Sequence, residues 1–302
     1  MPASHNPCSS CDSSSCSARE KGPDESLEDF LERRKLAASL CRVRHKVLVF
    51  SGKGGVGKST VAANIAAALA AEGHRVGLLD IDFHGPSIPR LMGVSGQAPR
   101  HSGDEGIIPF EAAGGVKVMS IGLLLREAGS AIIWRGPMKM NVIKQLLRDV
   151  RWGELDCLVV DSPPGTGDEP LSVTQLVPGV DGAVLVTTPQ AVSADDVRRS
   201  VDFCRKLDLP VIGIIENMSG FCCPHCGRRS HPFKSDGGRL LAAETGIRFL
   251  GSIPIDPQVV ASSDDGRPFC TAQPESAASA AFLDAIKPIC ALVKDQDAPG
   301  ED

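Results

Sequence analysis

A glycine-rich decapeptide with two lysines, Ser51-Gly-Lys-Gly-Gly-Val-Gly-Lys-Ser-Thr60, has the residue types and spacing needed to hold phosphate groups. It fits the pattern G-x-x-x-x-G-K-[ST], with Gly52, Gly57, Lys58 and Ser59 at the fixed positions. Glycines let backbone N–H groups curl around phosphate oxygens without obstruction from a Cβ atom. We expect Lys58 to reach the β- and γ-phosphates and the hydroxyl of Ser59 to bind Mg²⁺.

The surroundings of this loop agree with a phosphate site. Residues 46–51 form a short apolar run before it, and residues 60–72 after it are rich in helix formers and end at Gly73. A helix that starts here points its N-terminal N–H groups at the phosphates. The loop residues expected to bind ATP are Gly52, Lys53, Gly54, Gly55, Val56, Gly57, Lys58, Ser59 and Thr60.

Acidic residues follow two other apolar runs. Asp80 and Asp82 end the second predicted strand, at the carboxyl edge of the sheet where ligands bind in such folds. Asp161 closes the run that begins at Cys157, a position that suits a carboxylate holding Mg²⁺ through water. The glycine- and proline-rich segment 162–168 comes next and is placed to sense a γ-phosphate.

Apolar runs and helix-forming stretches alternate along most of the chain. The predicted strands are 46–51, 75–80, 116–121, 157–161, 183–187, 211–216 and 249–253. The predicted helices are 59–72, 138–150, 193–207, 236–245 and 275–294, the last ended or kinked by Pro288. This alternation predicts an α/β fold with a doubly wound, mostly parallel sheet, as in P-loop NTPases.

The predicted ATPase domain is preceded and followed by shorter segments of different composition. A capping box at Ser26 predicts a short helix before the domain. The predicted parts are a flexible cysteine-containing tail at 1–24, a helix and linker at 25–43, the domain with its Cys-x₂-Cys site at 44–294, and an acidic tail at 295–302.

Composition disfavours several classes of protein. The hydrophobic content of 42% and charged content of 23% are ordinary for a globular protein. The net charge of −5 gives no global attraction to nucleic acid or to an anionic membrane. The first thirty residues lack the apolar core of a secretory signal, and no apolar stretch is long enough to span a bilayer. We therefore expect a cytoplasmic protein that binds neither nucleic acid nor membrane.

The eleven cysteines fall into scattered and clustered groups. Disulfides are rare in the cytoplasm, so metal binding is the better interpretation of the clusters, one in the tail and one at 222–226. The scattered cysteines, which we expect to be mostly structural and buried, are Cys41, Cys157, Cys204, Cys270 and Cys290.

Cys223-x₂-Cys226 places two thiolates on one tight turn. A tetrahedral metal site needs four ligands, and a two-fold dimer would supply them with the site on its axis. Zinc is a rival to an iron–sulfur cluster, because the spacing also fits half of a zinc ribbon and His225 and His231 are close in sequence. The role of the neighbouring Cys222 stays open.

Several motifs resemble those of a known ATPase class. Gly52-Lys53-Gly-Gly-Val-Gly-Lys58 is similar to the deviant phosphate loop of division-site regulators, arsenite pumps and the nitrogenase iron protein. Within that class, three segments resemble the Mrp-type iron–sulfur cluster carriers: Asp80-Ile-Asp-Phe-His-Gly-Pro-Ser-Ile-Pro89, Asp161-Ser-Pro-Pro-Gly-Thr-Gly-Asp168 and Glu216-Asn-Met-Ser219. The resemblance covers residues 46–286 approximately.

The resemblance implies roles for individual residues. Lys53 would point across a dimer interface and stabilise the transferring phosphate of the partner's nucleotide. Asp82 would position or activate the attacking water, so that Lys53, Lys58 and Asp82 form the catalytic group. Asp161 would stand behind the Mg²⁺ held by Ser59. The residues that would border the adenine are Asn217, Pro254 and Asp256.

The resemblance also implies a [4Fe–4S] cluster at the Cys-x₂-Cys pair. The tail motif Cys8-x₂-Cys11-x₄-Cys16 imperfectly resembles the amino-terminal cluster motif of eukaryotic cytosolic scaffold ATPases, which has a further upstream cysteine and slightly wider final spacing. Its fourth ligand would come from Cys41, His5 or the partner. The alternative is a tail with a labile metal site.

The sequence thus predicts a homodimeric ATP hydrolase that binds a [4Fe–4S] cluster and passes it to apoproteins, with slow hydrolysis coupled to that task. The alternatives are a zinc-binding regulator of the division-site class and an electron-transfer ATPase. Residues 275–294 lack the basic polar face of a membrane helix, which disfavours the regulator. Electron-transfer ATPases have cluster cysteines far apart in sequence. We expect His84 and Trp134 to bond or pack locally.

Overall fold

The long apolar runs of the sequence form strands that are buried on both faces. The computed structural model describes residues 20–23, 25–101, 106–124, 136–223, 226 and 228–294. Its strands are β1 Val43–Ser51, β2 Val76–Asp80, β3 Arg100–His101, β4 Ile107–Ile108, β5 Phe110–Glu111, β6 Lys117–Ser120, β7 Leu155–Asp161, β8 Gly182–Thr187, β9 Val211–Glu216, β10 Phe221–Cys222, β11 Arg229–Ser230 and β12 Phe249–Ser252.

Helices cover the sheet formed by these strands. They are α1 Leu27–Leu40, α2 Lys58–Ala71, α3 Ile88–Leu91, α4 Ile121–Leu124, α5 Gly136–Asp149, α6 Asp168–Leu176, α7 Ala191–Lys206, α8 Gly237–Thr245, α9 Pro257–Asp264, α10 Phe269–Ala272, α11 Ala277–Ala285 and α12 Lys287–Lys294. Among the described residues, no helix is both long enough and apolar enough to cross a bilayer.

Eight strands form one sheet in the order β12-β9-β8-β1-β7-β2-β6-β5. Neighbouring strands are parallel except for the antiparallel pair β5–β6. Side chains of β1 alternate between two cores, with Val47 and Val49 on the face that α2 covers and Leu48 and Phe50 on the other. The predicted fold class is confirmed, and the order places the carboxyl ends of β1, β2 and β7 side by side.

All seven predicted strands form, with ends no more than three residues from the predicted ones. The first four predicted helices also form, within two residues of their predicted bounds. The stretch 275–294 divides into α11 and α12 around Ile286, and Pro288 lies in the first turn of α12, where a missing N–H is tolerated.

Two helices near the site were not predicted, and each has a proline in its first turn. Pro170 lies in the first turn of α6, and Pro257 begins α9. Proline is well tolerated there, since the N–H groups of a first turn have no partner within the helix. The Asp256-Pro257 pair is itself a helix-start signal, because Asp256 Oδ1 accepts a hydrogen bond from Gln258 N at 2.9 Å.

The predicted capping box begins α1, where Ser26 Oγ accepts a hydrogen bond from Asp29 N at 3.0 Å. Helix α1 packs on α5, and its last residue, Leu40, is buried. The proposed division of the chain at residues 24, 43 and 294 stays a prediction.

Four scattered cysteines are buried as predicted, but Cys41 is exposed at the C-terminal end of α1. The expectation of burial is therefore wrong for Cys41. Burial raises the pKa of the buried thiols to about 12 in Cys157 and Cys270 and to about 11 in Cys204 and Cys290. Such thiols stay protonated at neutral pH, which suits packing rather than metal binding.

Gly213 on β9 allows a close contact that the sheet needs. A Cβ atom there would lie 2.7 Å from Arg248 O and 2.5 Å from Leu250 Cγ, and Arg248 O accepts the hydrogen bond of Ile214 N. We predict that Gly213→Ala lowers the free energy of unfolding by about 1–3 kcal/mol, because backbone atoms must shift. Urea unfolding measures the change.

The matched control is Gly136→Ala. Gly136 is exposed at the start of α5, and a methyl group added at its Cα would meet no atom of another described part of the chain within 4 Å. Alanine there should leave stability unchanged or raise it by about 0.5 kcal/mol. Equal effects of the two substitutions would contradict the close-contact explanation.

Candidate nucleotide and metal site

The phosphate loop joins the last residue of β1, Ser51, to the first residue of α2, Lys58. Gly55 and Gly57 have φ angles of +79° and +85°, a backbone region that favours glycine. Ser51 Oγ donates a hydrogen bond to Lys53 O at 2.9 Å and closes the first turn of the loop. The loop therefore has the curled backbone that the glycine spacing predicts.

Asn217 packs directly against this loop. Its Nδ2 donates a hydrogen bond to Val56 O at 2.9 Å, across a large separation in sequence. A Cβ atom at Gly57 would lie 2.2 Å from the same nitrogen. Gly57 is thus required for its φ angle and for the space that Asn217 occupies.

Lys58 is buried among carboxylates. Its Nζ lies 2.6 Å from Asp161 Oδ1 and 3.3 Å from Asp82 Oδ2. Burial alone would lower the pKa of Lys58, but the charges of Asp161 and Asp82 outweigh it and raise that pKa. The ammonium therefore stays charged at the position where a phosphate would be held.

The neighbouring strands β2 and β7 bring Asp80 opposite Asp161. Asp80 Oδ1 accepts a hydrogen bond from Asp82 N at 3.0 Å, and its Oδ2 accepts one from Ser120 Oγ at 2.8 Å. Burial, together with the charge of Asp161, raises the pKa of Asp80 to about 8. Asp80 thus positions the loop that carries Asp82. The contribution of Ser120 was not predicted.

The arrangement around Asp161 fits Mg²⁺. Asp161 Oδ2 is buried and has no hydrogen-bond partner among the described residues. Burial raises the pKa of Asp161, while the ammonium of Lys58 and a hydrogen bond from Ser59 oppose that rise. An unpaired carboxylate oxygen beside a serine hydroxyl is a suitable oxygen ligand set for Mg²⁺ and its waters.

Lys53 has different surroundings from Lys58. It is half-buried, and its ammonium forms no ion pair or hydrogen bond with any residue the structure describes. It borders a cleft of about 150 Å³. The other residues lining that cleft are Gly54, Gly55, Val56, Thr188, Gln190, Met218 and Phe233.

The segment between β7 and α6 is tied to the phosphate loop, since Gly165 N donates a hydrogen bond to Ser51 O at 2.8 Å. His84 N donates to Asp82 Oδ1 at 3.0 Å, so the local bonding expected of His84 is made by its backbone, while its side-chain Nε2 lies 3.4 Å from Glu169 Oε2 on α6. Glu169 also pairs with Lys139. This link between the Asp82 loop and α6 was not predicted, because no local pattern joins these residues.

The residues predicted to contact adenine lie on two adjacent segments, one that begins at Asn217 and one that contains Pro254 and Asp256. Ser219 N donates to Ile253 O, and Ile255 N donates to Gly220 O, both at 2.8 Å. Pro254 is therefore held beside this segment. Asp256 caps α9 through its Oδ1. Contact of these residues with adenine stays a prediction.

The Cys-x₂-Cys turn lies on a short antiparallel ribbon formed by β10 and β11. Cys223 N donates a hydrogen bond to Arg228 O at 3.0 Å; Cys223 is half-buried and Cys226 is exposed. In the described part of the chain, no three His, Cys, Asp or Glu side chains form a group that could hold a metal, so His231 does not complete one with this pair. Cys8, Cys11, Cys16, His5, Trp134 and His225 lie outside the described residues.

The comparisons with known proteins agree with this geometry. A ParA family model described as the NUBPL iron-transfer P-loop NTPase matches residues 42–290. The chain is 46% identical over 258 residues to an iron–sulfur cluster carrier protein of Methanocaldococcus jannaschii, covering 85% of this chain and 88% of that relative. It is 50% identical over 244 residues to the cytosolic Fe-S cluster assembly factor NUBP2 of Bos taurus, covering 80% and 90%.

Solved structures with the same fold include a nucleotide-binding protein and a cell division ATPase. A nucleotide-binding protein of Archaeoglobus fulgidus in complex with ADP superposes with a TM-score of 0.71 at 39% identity, over 83% of this chain and 95% of that one. The cell division ATPase MinD of Pyrococcus furiosus gives a TM-score of 0.60 at 23% identity, over 82% and 99%, a likeness of fold alone. The chain belongs to the NUBPL iron-transfer P-loop NTPase family.

Proposed function

We propose that this chain hydrolyses ATP slowly and carries an iron–sulfur cluster, of the [4Fe–4S] type, that it passes to apoproteins. The observation that carries the proposal is that this member of an iron-transfer family has both a phosphate loop and, apart from it, the thiol pair Cys223 and Cys226. Two relatives that are 46% and 50% identical to this chain are named for iron–sulfur cluster carriage and assembly. We also propose a cytoplasmic location, in line with the name of the bovine relative.

ATP hydrolysis in this site needs positioning and charge neutralisation more than covalent chemistry. Lys58 and the loop N–H groups would hold the phosphates, and Ser59 and Asp161 would hold Mg²⁺, which neutralises phosphate charge when bound. Asp82, whose carboxylate lies 3.3 Å from Lys58 Nζ, would position the attacking water at the phosphate end of the site. Lys53 is not needed for any of these contacts within its own chain.

A homodimer would complete both parts of the proposed function. Lys53 has no partner among the described residues, and a second copy would offer it a nucleotide phosphate. Cys223 and Cys226 supply two thiols, and two such pairs related by a two-fold axis would supply four. A second metal site formed by Cys8, Cys11 and Cys16 is part of the proposal.

We predict that Lys53→Ala retains ATP binding but loses hydrolysis by about a hundredfold or more, because a charge that acts only in the transition state is removed. ATP affinity and the rate of phosphate release measure the two effects. Lys206→Ala, which removes an exposed lysine on α7, is the control and should leave both unchanged.

Mixing variants tests whether Lys53 acts across the dimer. Lys53→Ala and Lys58→Ala should each be inactive, but a mixed dimer has one site that combines an intact Lys58 with Lys53 from the other chain. Random mixing should restore about a quarter of the sites, since half of the dimers are mixed and each has one such site. No recovery on mixing, or unchanged hydrolysis by Lys53→Ala alone, would contradict the cross-subunit role.

We predict that Cys223→Ser removes the iron and the broad visible absorption that the wild type acquires on anaerobic reconstitution with iron and sulfide, because one of two thiolate ligands per chain is lost. Iron analysis and Mössbauer spectroscopy measure the effect, in a chain whose Cys8 and Cys11 are also replaced by serine. Cys290→Ser, at a buried thiol distant from the ribbon in sequence, is the control. A colourless wild-type protein that retains zinc would overturn the cluster proposal.

A further inference from the structure

The carboxylate of Asp82 is held from two sides. Its Oδ2 lies 3.3 Å from Lys58 Nζ, and its Oδ1 accepts a hydrogen bond from the backbone N of His84 at 3.0 Å. The first contact belongs to the phosphate site. The second depends on where the chain places His84, so the orientation of the carboxylate follows the position of the Asp82 loop, residues 81–87 between β2 and α3.

Glu169 contacts this loop from outside. His84 Nε2 lies 3.4 Å from Glu169 Oε2, and the other carboxylate oxygen of Glu169 pairs with Lys139 Nζ. Lys139 Nζ also lies 5.6 Å from the centre of the Phe83 ring, in a cation–π contact. Two consecutive residues of the loop, Phe83 and His84, are therefore in contact with one ion pair.

The ion pair of Lys139 and Glu169 is largely shielded from water. Only 15% of the Lys139 side chain and 20% of the Glu169 side chain are exposed, whereas 63% of the His84 side chain is exposed. Solvent and salt weaken such a partly buried pair less than a pair on the open surface. The pair can therefore act as a fixed support for the exposed ring of His84.

The helices that carry this pair are anchored in the fold. Glu169 is the second residue of α6, in which Val173 is buried, and Lys139 lies on α5, which packs against α6. The segment just before α6 is tied to the phosphate loop by the hydrogen bond from Gly165 N to Ser51 O. Glu169 therefore has a defined place relative to the phosphate loop.

We infer that Glu169 is a positioning residue for Asp82: together with Lys139 it holds His84, and the backbone of His84 orients the carboxylate that faces the phosphate site. Such support contributes to the rate of reaction, since a misplacement of about 1 Å can lower a rate about a hundredfold. The inference rests on the proposed function for the reaction that Asp82 serves, but the support of the loop belongs to the chain alone.

Glu169→Ala in the full-length chain tests the effect on hydrolysis. We expect kcat for Mg²⁺-ATP to fall about tenfold while KM and ADP affinity stay within about twofold, because the groups expected to bind phosphate and Mg²⁺ are unchanged. Glu169→Gln keeps an acceptor oxygen at the same reach and should lose no more than about threefold in kcat. Glu244→Ala is the matched control, since it breaks the ion pair with Arg198 that joins α8 to α7, and it should leave kcat unchanged.

A double-mutant cycle tests the path through His84. His84→Ala removes the ring but keeps the backbone N that bonds to Asp82, and it should lower kcat about fivefold. If the ring acts through Glu169, the double variant should have a kcat within about twofold of that of Glu169→Ala, whereas independent effects would multiply.

Hydrogen exchange gives a readout that does not depend on hydrolysis. The amides of Asp82 and His84 donate to the carboxylates of Asp80 and Asp82, so their exchange reports how firmly the loop is held. In the nucleotide-free, full-length chain, the peptide that contains both amides should exchange about threefold faster in Glu169→Ala than in the wild type. Glu244→Ala should leave the exchange of this peptide unchanged.

The inference is overturned if Glu169→Ala keeps the wild-type kcat or the wild-type exchange of the loop. Equal losses of kcat and ADP affinity, or effects that multiply in the cycle, also overturn it. So does faster exchange throughout the chain, because general loss of structure would then be the cause. A wild-type chain that does not hydrolyse ATP, with faster loop exchange in Glu169→Ala, contradicts the proposed function alone. Wild-type hydrolysis that Glu169→Ala leaves intact contradicts the inference alone.

Discussion

The ammonium of Lys58 is buried at the carboxyl edge of the sheet, and the site is arranged around the carboxylates that neutralise it. A buried charge without partners is costly, and at the start of α2 this cost is offset by Asp161 and Asp82. The parallel order of β1, β7 and β2 meets that requirement, because it brings three strand ends together. The same register keeps Asp80 close to Asp161. Asp80 Oδ1 accepts a hydrogen bond from Asp82 N and so holds the loop that carries Asp82.

Two parts of the site are incomplete within one chain: the surroundings of Lys53 and the ligand set of the metal. Lys58 is fully paired within the chain, whereas Lys53, five residues earlier in the same loop, has no partner among the described residues. The pair Cys223 and Cys226 presents two thiols where a tetrahedral site needs four. A second copy related by a two-fold axis would resolve both deficits at once, and this is why we place the nucleotide and the cargo in one dimeric assembly.

Local patterns in the sequence were enough to predict the sheet and the phosphate loop. Long apolar runs, a glycine-rich turn and acidic strand ends are signals within a few residues of each other, and they predicted the positions of Asp80 and Asp161. Contacts between distant residues have no such signal. The hydrogen bonds from Asn217 to Val56 and from Gly238 N to Glu216 depend on strand order, which the sequence does not display.

The incorrect prediction that Cys41 is buried has a physical cause. Cys41 follows an apolar stretch, yet it lies at the exposed end of α1 because the core contact of that helix is made by Leu40. Glu216 ends an apolar strand as Asp80 and Asp161 do, so the same signal was available for it. Its role differs because its carboxylate accepts hydrogen bonds from a serine hydroxyl and a backbone N–H rather than from Lys58.

Anaerobic native mass spectrometry tests the central claim, that two chains share one metal site, most directly. The full-length chain with Cys8 and Cys11 replaced by serine would be reconstituted with iron and sulfide and its assemblies weighed. The account predicts dimers that carry a single cluster and monomers that carry none. Monomers that retain a cluster, or dimers with one on each chain, would contradict it.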